Sequence, residues 1–335
     1  MSSETTLIER IRRAVPSQPG GLLRQGIGDD AAVLRGLARG RLARGEPTDW
    51  ALTSDSFLEG RHFLIDRHPP RAVGYKALAR AISDIAAMGA VPRVFLLNLS
   101  FPKRLSGAWL DQFLGGLARA ARRFRLVLAG GDISQFPSVA VSITVMGEVP
   151  AGAAVGRSGA RSGSLLFVSG TLGTAQLGLE IILGCPKPSP NLLRSAALRP
   201  HLYPVPRVEL GNWLAGRGLV SAMIDISDGF STDLSRLCQA SWVGARVFAD
   251  RLPCVQPSPR FLRLGISQVE LALHGGEDYE LLFAAPARLA HHMPSSFRGV
   301  RITQVGEFVG GREIRLVGSD GRSSRLVPRG WDHFR

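Results

Sequence analysis

The stretch GIGDDAAVL at residues 26–34 decides between two folds. Its spacing Gly26-x-Gly28-x-x-Ala31 matches a dinucleotide-binding fingerprint, in which glycines let the backbone approach a pyrophosphate. A Rossmann fold would need a strand before the first glycine and an acid about 20 residues further on. Here PSQPGGLLRQ precedes Gly26 and reads as a poor strand, and Asp29 and Asp30 would repel the pyrophosphate directly. The Rossmann reading is set aside. Two readings of the aspartates stay open: an ordinary polar turn, which Asp tolerates, or a turn that presents a carboxylate to a cation.

Outward from this stretch, β-branched apolar runs alternate with helical patterns, which argues an α/β or α+β chain. The pattern predicts strands at 50–55, 94–100, 125–132, 139–149, 164–170, 221–229, 279–285, 301–309 and 313–318. It predicts helices at 4–14, 71–88, 106–123, 173–183, 206–216 and 229–240, the second stopping at Gly89 with Pro92 beyond. PAGAAVGRSGARSG at 150–163 is the expected domain boundary, giving an N-terminal domain at 1–150 and a C-terminal α/β domain at 151–335. The Pro-rich segment 185–206 reads as an inserted loop.

Composition narrows the class. At 335 residues the chain can build two cores. No run reaches the roughly 18 apolar residues of a membrane span, and MSSETTLIERIRRAV lacks the apolar centre of a signal peptide. Cys185, Cys238 and Cys254 form neither a disulfide framework nor a zinc pattern, so they are expected to be reduced, in the cytoplasm. The net charge is +14, and all but three of the 41 basic residues are arginine. These are spread along the chain without aromatic interleaving, so a nucleic-acid partner is not expected. A P-loop is excluded because Lys76, Lys103 and Lys187 follow Tyr75, Pro102 and Pro186 instead of glycine.

The informative pattern is a series of aspartates in apolar or small-residue settings. Asp55 follows WALTS, Asp132 follows RLVLAGG, and Asp225 and Asp228 fall in SAMIDISDG. Asp84 sits between apolar positions of a helix, and Asp29 and Asp30 follow Gly28. Carboxylates beside Ser and Thr hydroxyls suit magnesium, a hard cation that works together with substrate phosphates. Each acid has a plainer reading. Ser227, Asp228 and Gly229 could cap a helix beginning near Phe230, Asp84 could pair with Arg80 and Lys76 along one row, and Asp55 and Asp132 could end strands in turns.

Several segments occur together and in order: GIGDDAAVL (26–34), TSDSFLEGRHF (53–63), GYKALARAISDIAAMGAVP (74–92), LAGGD (128–132), GRSGA (156–160), IDISDGFSTDL (224–234), GGEDYELLF (275–283) and GWDHF (330–334). Over essentially the whole chain this series resembles bacterial thiamine-monophosphate kinase, within the aminoimidazole ribonucleotide synthetase superfamily. The resemblance implies a two-domain α/β fold with a dimer built by the N-terminal domains. It also implies phosphoryl transfer from ATP to thiamine monophosphate, direct and in line.

On the matching positions, Asp30, Thr53, Ser54, Asp55, Asp84, Asp132, Asp225 and Asp228 would bind several Mg2+ ions, with room for K+. Gly131, Asp132, Arg157 and Ser227 would contact ATP. His62, Glu277 and Trp331 would hold thiamine monophosphate. Asp55, Asp132 and Asp225 would be the acids closest to the chemistry. Arg157 could instead be one more solvated arginine, His62 a surface histidine, Glu277 a turn residue and Trp331 a terminal anchor. Ile133 stands where the family usually has Thr, and GRSGARSGS lacks the Pro-Gly-Asp that often follows. Other superfamily members are disfavoured. A selenophosphate synthetase would carry a reactive residue near its start, and the first cysteine is Cys185. The hydrogenase-maturation dehydratase would end in cysteine, and this chain ends DHFR.

Overall fold

Two sheets, one from each half of the chain, enclose a helix that both halves bury. The computed structural model describes residues 22–36, 47–184, 188–263 and 265–333, with isolated positions at 6, 8, 9, 13 and 14. Most of the helix expected at 4–14, with Cys185, Lys187 and Phe334, lies outside the described residues.

The first half contributes β1 (Leu23–Gln25), β2 (Ala32–Arg35), β3 (Thr48–Leu58), α1 (Pro70–Ala87), β4 (Val91–Phe101), α2 (Ala108–Phe124), β5 (Val127–Gln135) and β6 (Ala140–Pro150). Its sheet runs β1-β2-β3-β6-β4-β5, antiparallel except where β4 meets β5. Helix α1 starts with Pro70, whose fixed φ suits a first turn, and ends where Gly89 takes a positive φ of 70°. It is apolar on nearly all sides, as a helix buried on every face must be. One side packs Leu78, Ile82 and Ile85 with Phe57, Phe95, Ile143 and Val145. At its far end Ala87 joins a core with Leu210, Leu214 and Leu281 of the second half.

The second half contributes β7 (Leu165–Ser169), α3 (Thr174–Leu183), α4 (Val208–Gly216), β8 (Ala222–Ile226), α5 (Phe230–Ser241), β9 (Gly244–Phe248), α6 (Gln268–His274), β10 (Glu280–Ala285), β11 (Ser296–Phe297), β12 (Val300–Val309), β13 (Ile314–Val317) and β14 (Ser323–Arg325). The order is β14-β13-β9-β12-β7-β10-β8, with β11 on β12. Helix α5 lays Phe230, Leu234 and Leu237 on Ile224 and Ile226 of β8. Short helical turns occupy Pro190–Leu193, Arg199–Leu202 and Pro259–Arg263. Cys238 and Cys254 are free thiols. Among the described residues, no helix is long and apolar enough to cross a membrane.

Three sequence expectations change. LRQ before Gly26 does form a strand, because β2 pairs with it although its own residues favour no strand. Asp55 and Asp132 do not end strands in turns: both lie inside long ones, β3 and β5. Ser227 and Asp228 do not cap α5, whose N-cap is Gly229 with no side-chain bond.

Candidate active site

One cavity of about 1070 Å³ opens where the two halves meet around α1. It is lined by Asp30, Thr53, Ser54, Asp55, Asp84, Arg157, Asp225, Ser227 and Asp228, and also by His62, Glu277 and Trp331. All but two of the sequence-predicted site residues therefore come together. The acids arrive from four pieces of chain. Asp30 leaves the turn before β2, Asp55 projects from β3, Asp84 from α1, and Asp225 from β8.

At the centre, single carboxylate oxygens of Asp30, Asp84 and Asp225 all lie within 4.8 Å of one another. Thr53 Oγ1 donates to Asp84 Oδ2 at 2.6 Å. Arg157 Nη2 donates to Asp30 Oδ1 at 2.6 Å. Asp30 Oδ2 and Asp225 Oδ2 are buried with no hydrogen-bond partner among the described residues. Burial pushes the Asp84 carboxyl well above the usual range, and Asp55, Asp225 and Asp30 push it further. Asp225 is raised by burial and by Asp30, and Asp30 by burial against the pull of Arg157. Hard oxygen donors crowded together with unspent lone pairs are what a magnesium ion needs, so the residues fit that cation.

The neighbouring turns are held rigidly. Asp29 accepts from the Arg157 amide at 2.8 Å and from Gln25, pinning the 156–157 loop. Asp233, in the first turn of α5, accepts from the amides of Ser227 and Asp228, both at 3.1 Å. Arg236 Nη1 bridges Asp233 at 2.9 Å and Asp228 at 2.5 Å. Gly229, at φ 108°, makes the strand-to-helix turn, and a Cβ there would stand 2.7 Å from the His274 carbonyl.

On the other wall, Glu277 sits at a positive φ of 67°, where its backbone N–H donates to the Ser227 carbonyl at 2.7 Å. Lys76 Nζ donates to its carboxylate at 2.6 Å. Burial would raise Glu277, but Lys76 and Arg80 outweigh it and hold the carboxyl below its ordinary value. His62 Nδ1 accepts from the Leu58 amide at 2.9 Å, and its Nε2 is buried without a partner among the described residues. Burial, then Arg80 and His333, push His62 down to about 3, so the ring is neutral. The Trp331 amide donates to the Asp228 carbonyl at 2.9 Å, and the residue stays 43% exposed.

Gly131 and Asp132 do not line this cavity. They lie on β5, an exposed edge strand. Asp55 and Asp132 are three strand spacings apart, about 14 Å. Asp55 is level with Ile143, Leu97 and Gly131, so Asp132 is on the opposite face. Gly131 has a packing reason, since a Cβ would stand 1.8 Å from the Leu97 carbonyl. Lys76, Arg80, Asp233, Arg236 and Tyr279 were missed as site residues. Their signals were the 76/80/84 row on one helix face and the three-residue spacing of Asp233 and Arg236.

Comparison with known proteins agrees with this geometry. Residues 28–149 match the family "AIR synthase related protein, N-terminal domain", and residues 161–319 match "AIR synthase related protein, C-terminal domain". The thiamine-monophosphate kinase of Aquifex aeolicus (strain VF5) is 32% identical, over 99% of this chain and 98% of its own. That of Salmonella typhimurium is 35% identical over 92% and 91%. The solved structure of AaThiL complexed with AMPPCP and TMP superposes with a TM-score of 0.83 at 31% identity, covering 99% of this chain and 97% of that one. With its acid cluster, its two α/β halves and these full-length relatives, the chain belongs to the thiamine-monophosphate kinase family.

Proposed function

We propose that this chain transfers the terminal phosphoryl group of ATP to thiamine monophosphate, giving ADP and thiamine diphosphate. The observation that carries this reading is the meeting of Asp30, Asp84 and Asp225, with unspent oxygens, in a cavity whose other wall presents His62, Glu277 and Trp331. The acceptor is a phosphate whose second pKa is about 6, so its oxygen is already anionic near neutrality and needs no base. The obstacle is repulsion between two polyphosphate anions, and transfer of this kind is mostly positioning and charge neutralisation. Bound Mg2+ would supply that neutralisation, held by Asp30, Asp84 and Asp225 with Asp55, Asp228, Thr53 and Ser54 at the margins.

The chain's own residues do the rest. Thr53 and Arg157 fix the orientations of Asp84 and Asp30. Ser227 and Arg157 would meet ATP phosphates, Arg157 through Nη1, since its Nε and Nη2 are bonded to Asp30. Neutral His62 offers a ring nitrogen, anionic Glu277 faces a cationic ring, and Trp331 offers a surface for stacking. The test is direct: incubate protein, ATP, magnesium and thiamine monophosphate, and separate products by chromatography. Thiamine diphosphate is expected; its absence, together with absent Mg2+-dependent ATP binding, overturns the reading.

The division of labour follows. Residues 1–150 would form the ATP- and metal-binding and dimerisation domain, and 151–335 the C-terminal α/β domain, which adds Arg157, Asp225, Ser227 and Asp228 to the cavity. A homodimer is supported by β5, whose outer edge pairs with no strand among the described residues and carries exposed Val127, Leu128 and Ile133, with Phe136 just beyond it. Such an edge is normally covered. Pairing there would let Gly131 and Asp132 of one protomer serve the partner's site. Mixing Asp132→Ala and Asp225→Asn protomers should then restore activity, because each mixed dimer has one intact site. A mixture as inactive as its parents would refute the shared site. ATP as co-substrate supports a cytoplasmic place of action.

A further inference from the structure

Arg80 is a cation of the cavity wall whose charge is not spent and which, unlike the exposed Arg61, is held partly out of solvent. Arg157 bonds Asp30, Arg236 bonds Asp228 and Asp233, and Lys76 bonds Glu277. Arg80 Nε, by contrast, is buried without a hydrogen-bond partner, and among the described residues none accepts from either terminal nitrogen. The guanidinium rests 5.2 Å from the Phe57 ring centroid and lines the cavity. Burial works against its charge, yet the carboxylates of Asp55, Glu277 and Asp228 restore it by attraction through space. An ionised fork with unspent donors lining a cavity calls for an anion.

Its place on α1 says which anion. Lys76, Arg80 and Asp84 follow one another at four-residue steps on one face. Lys76 meets Glu277 on the wall assigned to the organic ring, and Asp84 belongs to the acid cluster assigned to metal and ATP. Arg80 lies between them, about 6 Å along the helix from each. The acceptor phosphate must occupy that same interval, joined to the ring on one side and facing the transferring phosphoryl on the other. Cations held by the acid cluster would also repel an arginine one helical turn away unless an anion stood between them.

We propose that Arg80 binds the phosphate of thiamine monophosphate, and so sets the preference for the phosphorylated substrate over free thiamine. This rests on the kinase reading above. The test uses calorimetry on the whole protein with Mg2+ and AMPPCP, titrated separately with thiamine monophosphate and with thiamine. Wild type should prefer the phosphate ester. Arg80→Met should weaken thiamine monophosphate binding about 30-fold, in the range of losing charge-assisted bonds. It should leave thiamine affinity and AMPPCP affinity within about two-fold, so that the preference collapses. Arg80→Lys, which keeps the charge without the fork, should recover part of it and also reports should the methionine variant fold poorly.

If Arg80 is only a counter-charge to Asp55 and Asp228, Arg80→Met will tighten Mg2+ binding and leave the preference unchanged. That result overturns the proposal, as does equal loss of both ligands. Wild type that binds no thiamine monophosphate and forms no thiamine diphosphate would sink the kinase reading itself. An active wild type with an unchanged preference in the variant sinks Arg80 alone.

Discussion

Asp225 and Asp278 are both buried aspartates at the junction of the two halves, yet their oxygens are used differently. Asp278 follows Glu277 and faces the start of α3. Its Oδ2 accepts from the Gly173 amide at 2.5 Å, and its Oδ1 accepts from the Ala175 amide and Thr174 hydroxyl, each at 3.0 Å. Asp225, in β8, keeps Oδ2 unpartnered beside Asp30 and Asp84. Burial raises both carboxyls, Asp278 to about 7 and Asp225 well above the ordinary value. A shifted carboxyl therefore does not by itself mark function. What separates the two is whether the oxygens are already spent on the fold.

The largest effect should come from Asp225→Asn. Losing a carboxylate from the cluster removes several kcal/mol of charge stabilisation, so kcat should fall about 10^3-fold. The same change removes like-charge repulsion, so the metal-free variant should melt a few degrees above wild type. Steady-state kinetics and calorimetric melting read the two directions. A variant that loses both activity and stability would place Asp225 with Asp278 and break the contrast.

A second way to sharpen it is the pH dependence of the metal-free protein. Asp29 is raised to about 6 and Asp278 to about 7, chiefly by burial, from an unperturbed 3.8. The folded state therefore holds protons that the unfolded chain has released. The stability these groups contribute is full below about pH 4 and is lost as pH rises through 6 to 7. Magnesium requires the deprotonated cluster, and burial and mutual repulsion raise the carboxyls of Asp84 and Asp225 while burial raises Asp30, so its stabilisation should grow with rising pH, reaching about 2–3 kcal/mol at a hundred-fold excess over Kd. Melting temperatures with and without Mg2+ should diverge with rising pH. Parallel curves would mean that the acids hold no cation.

Asp278→Ala tests the other member. It strips three acceptor contacts from the start of α3 and should cost about 1–3 kcal/mol in denaturant unfolding. Metal affinity should be unchanged, since Asp278 contributes nothing to the cluster. A loss of Mg2+ affinity larger than the loss of stability would reverse the assignment.

These differences explain how far the sequence could be read. The helices predicted at 71–88 and 106–123 fall within two residues of α1 and α2, because their apolar spacing and stop signals are local. Asp55 is expected at the end of a strand because Asp is rare within strands. Only pairing with β6 along the full length of β3 keeps it inside. The residues around the cation site were legible as acids in small-residue settings. The row of Lys76, Arg80 and Asp84 looked like ordinary i, i+4 pairing. The fold instead turns Lys76 to Glu277, Arg80 to the Phe57 ring and Asp84 to Thr53, Asp30 and Asp225, and no local pattern encodes that.

The smallest expected effect belongs to Asp29, the residue that joins the two types. It neighbours Asp30 in GIGDD, yet its oxygens are spent on Gln25 and the Arg157 amide, as those of Asp278 are spent on α3. Arg157 in turn aims its guanidinium at Asp30. Asp29→Asn keeps an acceptor oxygen for the Arg157 amide while removing the charge. It should therefore raise the KM for ATP less than about ten-fold, with kcat held within a factor of about two. Asp29→Ala, which removes the acceptor as well, should have the larger effect on KM. A kcat collapse in Asp29→Asn comparable with that of Asp225→Asn would move Asp29 into the cation site. The glycine turn at Gly28 would then present two carboxylates to the metal, and the contrast between spent and unspent oxygens would fail at the place where the sequence first raised it.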